Sequence, residues 1–249
     1  MIAEFFCGLV EVVTEVFKPV VELCVAGIGA VAKLGAYVSE KTANFIQLVD
    51  PNCGGICKTL EDASEFLNEV GDALLGIGRN LNIVELNDCS SEELGAKTLL
   101  PDTRDRNTEE TACHYIDYLS TVELNKEEFN NWEPEKKVLS SAVGDALVSE
   151  AIKEKTGVEI PADFTTNMKK AEIKHDEAAK LIEHFNDNGI ESMSEMNDFL
   201  SNAPNMTAEK TEKIESISVE ALKELNPEMT DEAAGERIKE MKVAAQSDL

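Results

Sequence analysis

Seven charged side chains between residues 2 and 48 lie at spacings that place them along one edge of a helix. They are Glu4, Glu11, Glu15, Lys18, Glu22, Lys33 and Glu40. At 100° per residue, all seven fall within roughly 60° of the helix circumference. Most other residues of the segment are apolar, and Lys41 is the one charge off this edge. The pattern predicts one α-helix over residues 2–48, with these seven residues as its polar stripe.

The apolar part of this predicted helix is too wide for a single neighbouring helix to cover. Because the charge pattern keeps its phase from Glu22 to Lys33, we expect a continuous rod despite Pro19 and the glycines near residue 28. Its longest charge-free run, 23–32, is about half of the ~20 residues that a membrane span needs. We therefore predict an assembly interface formed by Phe5, Phe6, Leu9, Val13, Val16, Val20, Gly27, Ala30 and Leu34.

The remainder of the chain has the periodicity of amphipathic helices. A second helix is predicted from Lys58 to Gly78, antiparallel to the first. Further helices are predicted over 110–121, 125–132, 134–156, 166–187, 192–201, 207–225 and 230–246. The fold class is all-α: a long apolar N-terminal helix paired with an amphipathic helix, followed by an acidic multi-helix region. The predicted organisation is an apolar helical region at 1–100, a charged linker at 101–111 and an acidic helical domain at 112–249.

Several of these helix ends carry specific signals. Capping boxes are predicted at Ser90 and at Ser192 with Glu195, and N-caps at Thr207 and Thr230. Pro134 suits a first helical turn, and Gly157 and Asn188-Gly189 suit the positions that end a helix.

The chain is strongly acidic, with a formal net charge of -26. Such a field repels phosphate backbones, so nucleic-acid binding is not expected, and anionic lipid surfaces are disfavoured for the same reason. The N-terminus has Glu4 where a secretory signal would carry basic residues. We therefore expect a protein of the cytoplasm or of a larger particle, with no classical secretion signal and with its six cysteines as thiols.

The sequence contains few motifs that indicate a catalytic or metal-binding site. Cys53, Cys57, Cys89, Cys113 and His114 are zinc-ligand types, but they form no paired C-x2-C pattern. Residues 184–195 partly resemble an EF-hand calcium loop, although His184 and Glu191 depart from its pattern. A helix cap followed by a new helix accounts for the same residues. Nucleophile, phosphate-loop and dinucleotide motifs are absent. We predict no catalytic, cofactor-binding or metal-binding residues and no cofactor.

Three hypotheses for function follow. The first is a non-enzymatic assembly subunit that forms a homo-oligomer, or docks in a multi-subunit complex, through the apolar N-terminal helix. The second is a membrane-active protein whose polar stripe lines a pore. The third is a self-contained helical binding or regulatory module, in which the chain covers its own apolar helix.

Overall fold

The protein is all-α, as its sequence predicts. The computed structural model describes residues 15–20, 22, 31, 33–50, 57–83, 90–107 and 109–247. All regular elements bounded within them are helices: α1 Ala36–Val49, α2 Leu60–Asn80, α3 Ser91–Thr98, α4 Ala112–Thr121, α5 Lys126–Asn130, α6 Pro134–Thr156, α7 Phe164–Lys170, α8 His175–Asp187, α9 Ser194–Ser201, α10 Ala208–Leu225 and α11 Asp231–Gln246.

The chain divides into two compact units. The first unit comprises residues 1–75 and 84–151, and the second comprises 76–83 and 152–249. The division falls within α2 and within α6, whereas the predicted linker at 101–111 lies inside the first unit. That residues 112–249 fold as a domain of their own stays a prediction.

The continuous helix predicted over 2–48 is wrong at its C-terminal third. Gly35 has φ 98° and ψ 166°, and α1 begins only at Ala36. A helix cannot continue through a residue with this backbone conformation, which glycine adopts without the steric cost that a Cβ would add. The preceding turn closes through a bond from the Leu34 N–H to the Val31 carbonyl, 3.1 Å. Residues 1–14, 21, 23–30 and 32 lie outside the described residues, and the pairing of α1 with α2 stays a prediction.

The most completely buried helical stretch of the first unit belongs to α6. Residues 138–149 are all buried, including Ser140, Ser141, Asp145 and Ser149. Ser140 and Ser141 donate to main-chain carbonyls one turn earlier, which satisfies their hydroxyls inside the helix. The predicted bounds 134–156 are confirmed.

Two helices that reach into the second unit end in the same way, with a glycine of positive φ after the last turn. Gly157 (φ 73°) ends α6 and Gly189 (φ 70°) follows α8, so both predicted helix ends are confirmed. The extended residues after them pair through the main chain. The Glu159 N–H donates to the Glu191 carbonyl at 2.7 Å, and the Met193 N–H donates to the Glu159 carbonyl at 2.9 Å. These bonds accompany an isolated parallel bridge between Glu159 and Ser192.

Two details of the predicted helices are wrong. The helix predicted over 166–187 is two helices, because Glu172 is left-handed (φ 54°) and the Ile173 N–H closes on the Met168 carbonyl at 2.9 Å. Ser192 is not an N-cap: that position belongs to Met193, without a side-chain bond. The predicted caps Ser90, Thr207 and Thr230 do accept main-chain N–H bonds.

Candidate functional site

The predicted assembly interface is described at three positions. Val20 and Leu34 are buried at 0% and 2% exposure, whereas Val16 is 43% exposed. Phe17 and Val31 of the same segment are also buried. Phe5, Phe6, Leu9, Val13, Gly27 and Ala30 lie outside the described residues. Phe17, Val20, Val31 and Leu34 are therefore covered by the chain itself, whereas Val16 is not.

The predicted polar stripe is described at five positions. Glu15, Glu22, Lys33 and Glu40 are exposed, and Lys18 is half-buried beside Glu15. Lys33 pairs with Asp105 of the first unit, with Nζ and Oδ1 2.9 Å apart. Glu4 and Glu11 lie outside the described residues.

A groove in the first unit is lined by the acidic residues of α2. Glu61, Glu65, Glu69 and Asp72 are exposed and follow one another at helical spacings of four, four and three residues. This spacing keeps them on one face, while Ala63, Leu67, Val70 and Leu74 of the same helix are buried. The carboxylates extend along α2 for about 16 Å at 1.5 Å per residue.

The rest of the groove comes from later parts of the first unit. Glu92 of α3, Trp132 before α6, and Pro134 and Lys137 in the first turns of α6 line it together with α2. The groove has a volume of about 630 Å³. It thus combines five carboxylates with one lysine and one indole ring.

Trp132 is held in position by two aromatic contacts. The Phe129 ring meets the indole edge to face, with centroids 5.3 Å apart and an interplanar angle of 74°. Lys136 places its ammonium 3.2 Å from the indole centroid, in a cation–π contact. Partial burial lowers the pKa of Lys136, and the Glu128 carboxylate opposes that shift.

A hydrogen-bonded chain joins the groove wall to the buried helix α6. Asn68 donates from Nδ2 to Glu92 Oε2 at 3.4 Å and accepts from the Ser141 hydroxyl at 3.0 Å. Burial raises the pKa of Glu92, while Asn68 and Lys137 pull it down and Glu93 adds to the rise. A cation bound beside Glu92 would therefore stabilise the charged form of this carboxylate, which burial disfavours.

A second cleft, of about 320 Å³, lies in the second unit. His184 Nε2 lies 2.8 Å from Glu224 Oε2, and Lys180 Nζ lies 2.9 Å from Glu224 Oε1 and 2.6 Å from Glu183. In this cleft, Lys180 and His184 of α8 both pair with Glu224 of α10. The neighbouring EF-hand-like segment is a helix end, with Asn188 as C-cap and its carbonyl accepting from Lys213 at 3.2 Å.

The candidate zinc ligands are only partly described. Cys57 is buried and Cys113 half-buried, and neither forms a disulfide. Across the described ranges, no group of three or more His, Cys, Asp or Glu side chains is arranged to hold a metal ion. None of the helices in the described part of the chain combines the length and apolar character required to cross a membrane.

The helix predicted from Lys58 to Gly78 contains the acidic residues of α2, but the groove was not predicted. The face follows from local periodicity, whereas Glu92, Trp132 and Lys137 come from distant positions that only the fold brings together. The sequence does contain one signal, since Trp132 is its only tryptophan and lies two residues before the helix start at Pro134.

Comparison with known proteins gives no relative: no protein-family model, no curated protein and no solved structure matches this chain.

Proposed function

We propose that the protein is a helical binding module whose groove takes a positively charged segment of a partner protein. The observation that carries this proposal is the row of four exposed carboxylates on α2 facing Glu92 and a fixed Trp132 across one groove. Opposite charges across an interface speed association and select the partner. The net charge of -26 extends the same attraction beyond the groove.

The spacing of the carboxylates supports an extended occupant. Residues four apart on a helix are displaced by about 6 Å. Every second residue of an extended chain advances by about 6.7 Å, close enough for lysines at alternate positions to meet successive acids. Trp132 adds an aromatic surface for the aliphatic part of a lysine or arginine side chain.

Each exposed ion pair contributes at most about 1 kcal/mol, so the affinity depends on several pairs acting together with the indole contact. An affinity of this origin weakens as salt is added.

The only tryptophan of the chain lies in the groove, which makes its fluorescence a direct readout. We expect a blocked octapeptide with alternating lysine and serine to change the Trp132 emission saturably at 50 mM salt, and to do so weakly at 500 mM. A glutamate-serine octapeptide is the control peptide and should cause no change.

A matched pair of variants tests the location. The double variant Glu65→Gln/Glu69→Gln should weaken binding at least tenfold. Glu212→Gln/Glu220→Gln makes the same charge change at exposed positions of α10 and should leave the affinity nearly unchanged. An unchanged Trp132 emission in the native protein, or equal losses in both variants, would refute the proposal.

Self-association through the N-terminal segment stays a prediction, but the described residues lend it less support. Phe17, Val20, Val31 and Leu34 are buried, and the large apolar side chains exposed in the described ranges are Val16, Leu225 and Val243. The molar mass in solution, measured by light scattering over a hundredfold range of concentration, tests it. A constant monomer mass would refute the assembly hypothesis.

A further inference from the structure

Asp145 is a buried acidic side chain that the proposed groove does not use. It lies on α6 in the first unit with 0% exposure, and neither carboxyl oxygen has a hydrogen-bond partner of good geometry among the described residues. A buried carboxylate with so little hydrogen bonding is costly, because the charge loses its hydration and gains little in return. The arrangement therefore favours the neutral, protonated acid.

Three helices of the first unit pack closely around Asp145. A Cβ placed on Gly71 of α2 would lie 2.5 Å from Asp145 Oδ1 and 1.8 Å from the Ser91 hydroxyl oxygen of α3. A Cβ on Gly144 of α6 would lie 1.8 Å from the Ser91 carbonyl. The carboxyl group is thus packed where α2, α3 and α6 meet.

The charged groups that face Asp145 are all acidic. They are Asp72 of α2 and Glu92 of α3, and both oppose its ionisation. The Ser91 hydroxyl favours the charged form, but less strongly than burial disfavours it.

We propose that the protonated side chain of Asp145 locks α3 between α2 and α6, so that the lock is tight in acid and loosens as the proton is lost. Burial raises the pKa of Asp145 well above its ordinary value of 3.8. An open junction hydrates the carboxyl and returns its pKa toward that value. Between the two pKa values the closed junction holds a proton that the open one lacks, so each pH unit favours opening by up to tenfold.

The direction of the effect follows from this linkage. The stabilisation is complete below about pH 3.8 and declines as pH rises toward the pKa of the closed junction, above which it is constant. The range from pH 5 to 8 lies above the ordinary pKa values of exposed carboxylates, and the Asp145→Asn variant separates Asp145 from Glu92, whose pKa is also raised. This inference does not depend on what the groove binds.

Amide hydrogen exchange of the full chain, measured by mass spectrometry at pH 5, 6, 7 and 8 and corrected for intrinsic exchange, tests the lock. We expect the protection of residues 91–98 to fall with pH, by up to tenfold per unit, relative to residues 231–246 of the second unit, which contain no histidine. Asp145→Asn keeps the shape without this titration, so its protection should vary much less with pH and should be higher than that of the native protein at pH 8; the dependence that remains belongs to Glu92, whose pKa burial also raises. Asp117→Asn, at an exposed position of α4, should behave like the native protein.

A second variant keeps the test decisive if Asp145→Asn does not fold. Ser91→Ala removes the hydroxyl that favours the charged form, and it should extend the fall in protection to higher pH. Protection of residues 91–98 that is independent of pH in the native protein would overturn the proposal, as would the same pH dependence in Asp145→Asn. An unshifted profile in Ser91→Ala would also count against it.

Discussion

Gly144 of α6 lies against the main-chain carbonyl of Ser91 in α3, so closely that a Cβ on the glycine would be 1.8 Å from that oxygen. Gly95 of α3 meets the Ser140 carbonyl in the same way, also at 1.8 Å. The two helices therefore touch through their backbones, a contact that only glycine permits at these two positions. The three-helix junction around Asp145 depends on it.

Replacing Gly144 with alanine should destabilise the protein by about 1–3 kcal/mol, because the methyl group forces α3 away from α6. Gly235→Ala is the matched control, since Gly235 lies inside α11 with nothing within 4 Å of its Cβ position. That change should stabilise by about 0.5–1 kcal/mol through helix propensity. Urea unfolding followed by circular dichroism measures both. A Gly144→Ala protein as stable as the native one would contradict the backbone contact.

Arg237 and Glu177 form a largely buried ion pair within the second unit, between α11 and α8. Arg237 donates from Nε and Nη2 to the two carboxylate oxygens at 3.1 and 2.9 Å. Arg237→Met leaves the carboxylate buried and without its cation, so we expect a loss of about 3 kcal/mol. Adding Glu177→Met should restore most of it. Lys239→Met removes an exposed pair from the same helix and should change stability by less than about 0.5 kcal/mol.

Denaturant unfolding of these variants distinguishes the contribution of the ion pair from that of other contacts of α11. If Arg237→Met cost no more than Lys239→Met, the pair would not be holding α11. If the double variant were no better than the single one, the loss would come from packing of the arginine stem rather than from the unpaired charge.

Arg106 anchors the polar segment 101–107 to the rest of the first unit. Its guanidinium donates to the carbonyls of Glu110 and Leu34 and pairs with Glu150 of α6. Arg106→Gln should free this segment, so that trypsin cleaves after Arg104 at least tenfold faster, equivalent to about 1.4 kcal/mol of local stability. Peptide mass spectrometry over time measures the rate. Lys126→Gln, at an exposed lysine of the same unit, should leave the rate unchanged; equal acceleration by both variants would contradict the anchoring role.

Cys57 should react slowly with iodoacetamide in the folded protein. Burial, aided by the Asp62 carboxylate, raises the pKa of its thiol to about 11. At pH 8 only about one thiol in a thousand is then ionised, which makes alkylation on the order of a hundredfold slower than for an ordinary cysteine. The rate should rise about tenfold per pH unit up to the pKa and become normal in urea. Rapid labelling of Cys57 at pH 8 in the folded state would contradict this environment.

The same shift has a consequence for stability. The folded pKa of Cys57 exceeds its ordinary value of 9.0, so its contribution is complete below pH 9 and is lost as pH rises through about 11.

The helices that sequence reasoning located well have strong local signals. Thr207 and Thr230 cap the helices that follow them, and Pro134 opens α6, because capping and proline geometry depend on a few neighbouring residues. The break at Glu172 has no such signal, since a glutamate with positive φ is fixed by the surrounding packing rather than by its own preference.

The interrupted N-terminal rod shows how a helical wheel misleads. Lys33 and Glu40 are seven residues apart and share one wheel position, but Gly35 lies between them with a non-helical backbone. Charge spacing reports which side of a helix faces water and is insensitive to a short break that preserves the phase. Gly35 thus serves a turn, whereas the glycines that allow close backbone contact between helices are Gly95 and Gly144.

The groove was only half predictable. The acidic face of α2 follows from periodicity within one helix, whereas Glu92 and Trp132 reach it through contacts between residues far apart in sequence. Asp145 could not be identified either, because an aspartate in a helix is far more often exposed than buried.

The complete burial of residues 138–149 has a consequence for how this protein can change over time. A helix with one solvated side can drift in sequence there at little cost, but this stretch has no such side. Substitutions should be rejected at each of its twelve positions rather than at every third or fourth. In homologous chains, these residues would stay recognisable after the acidic surface has diverged.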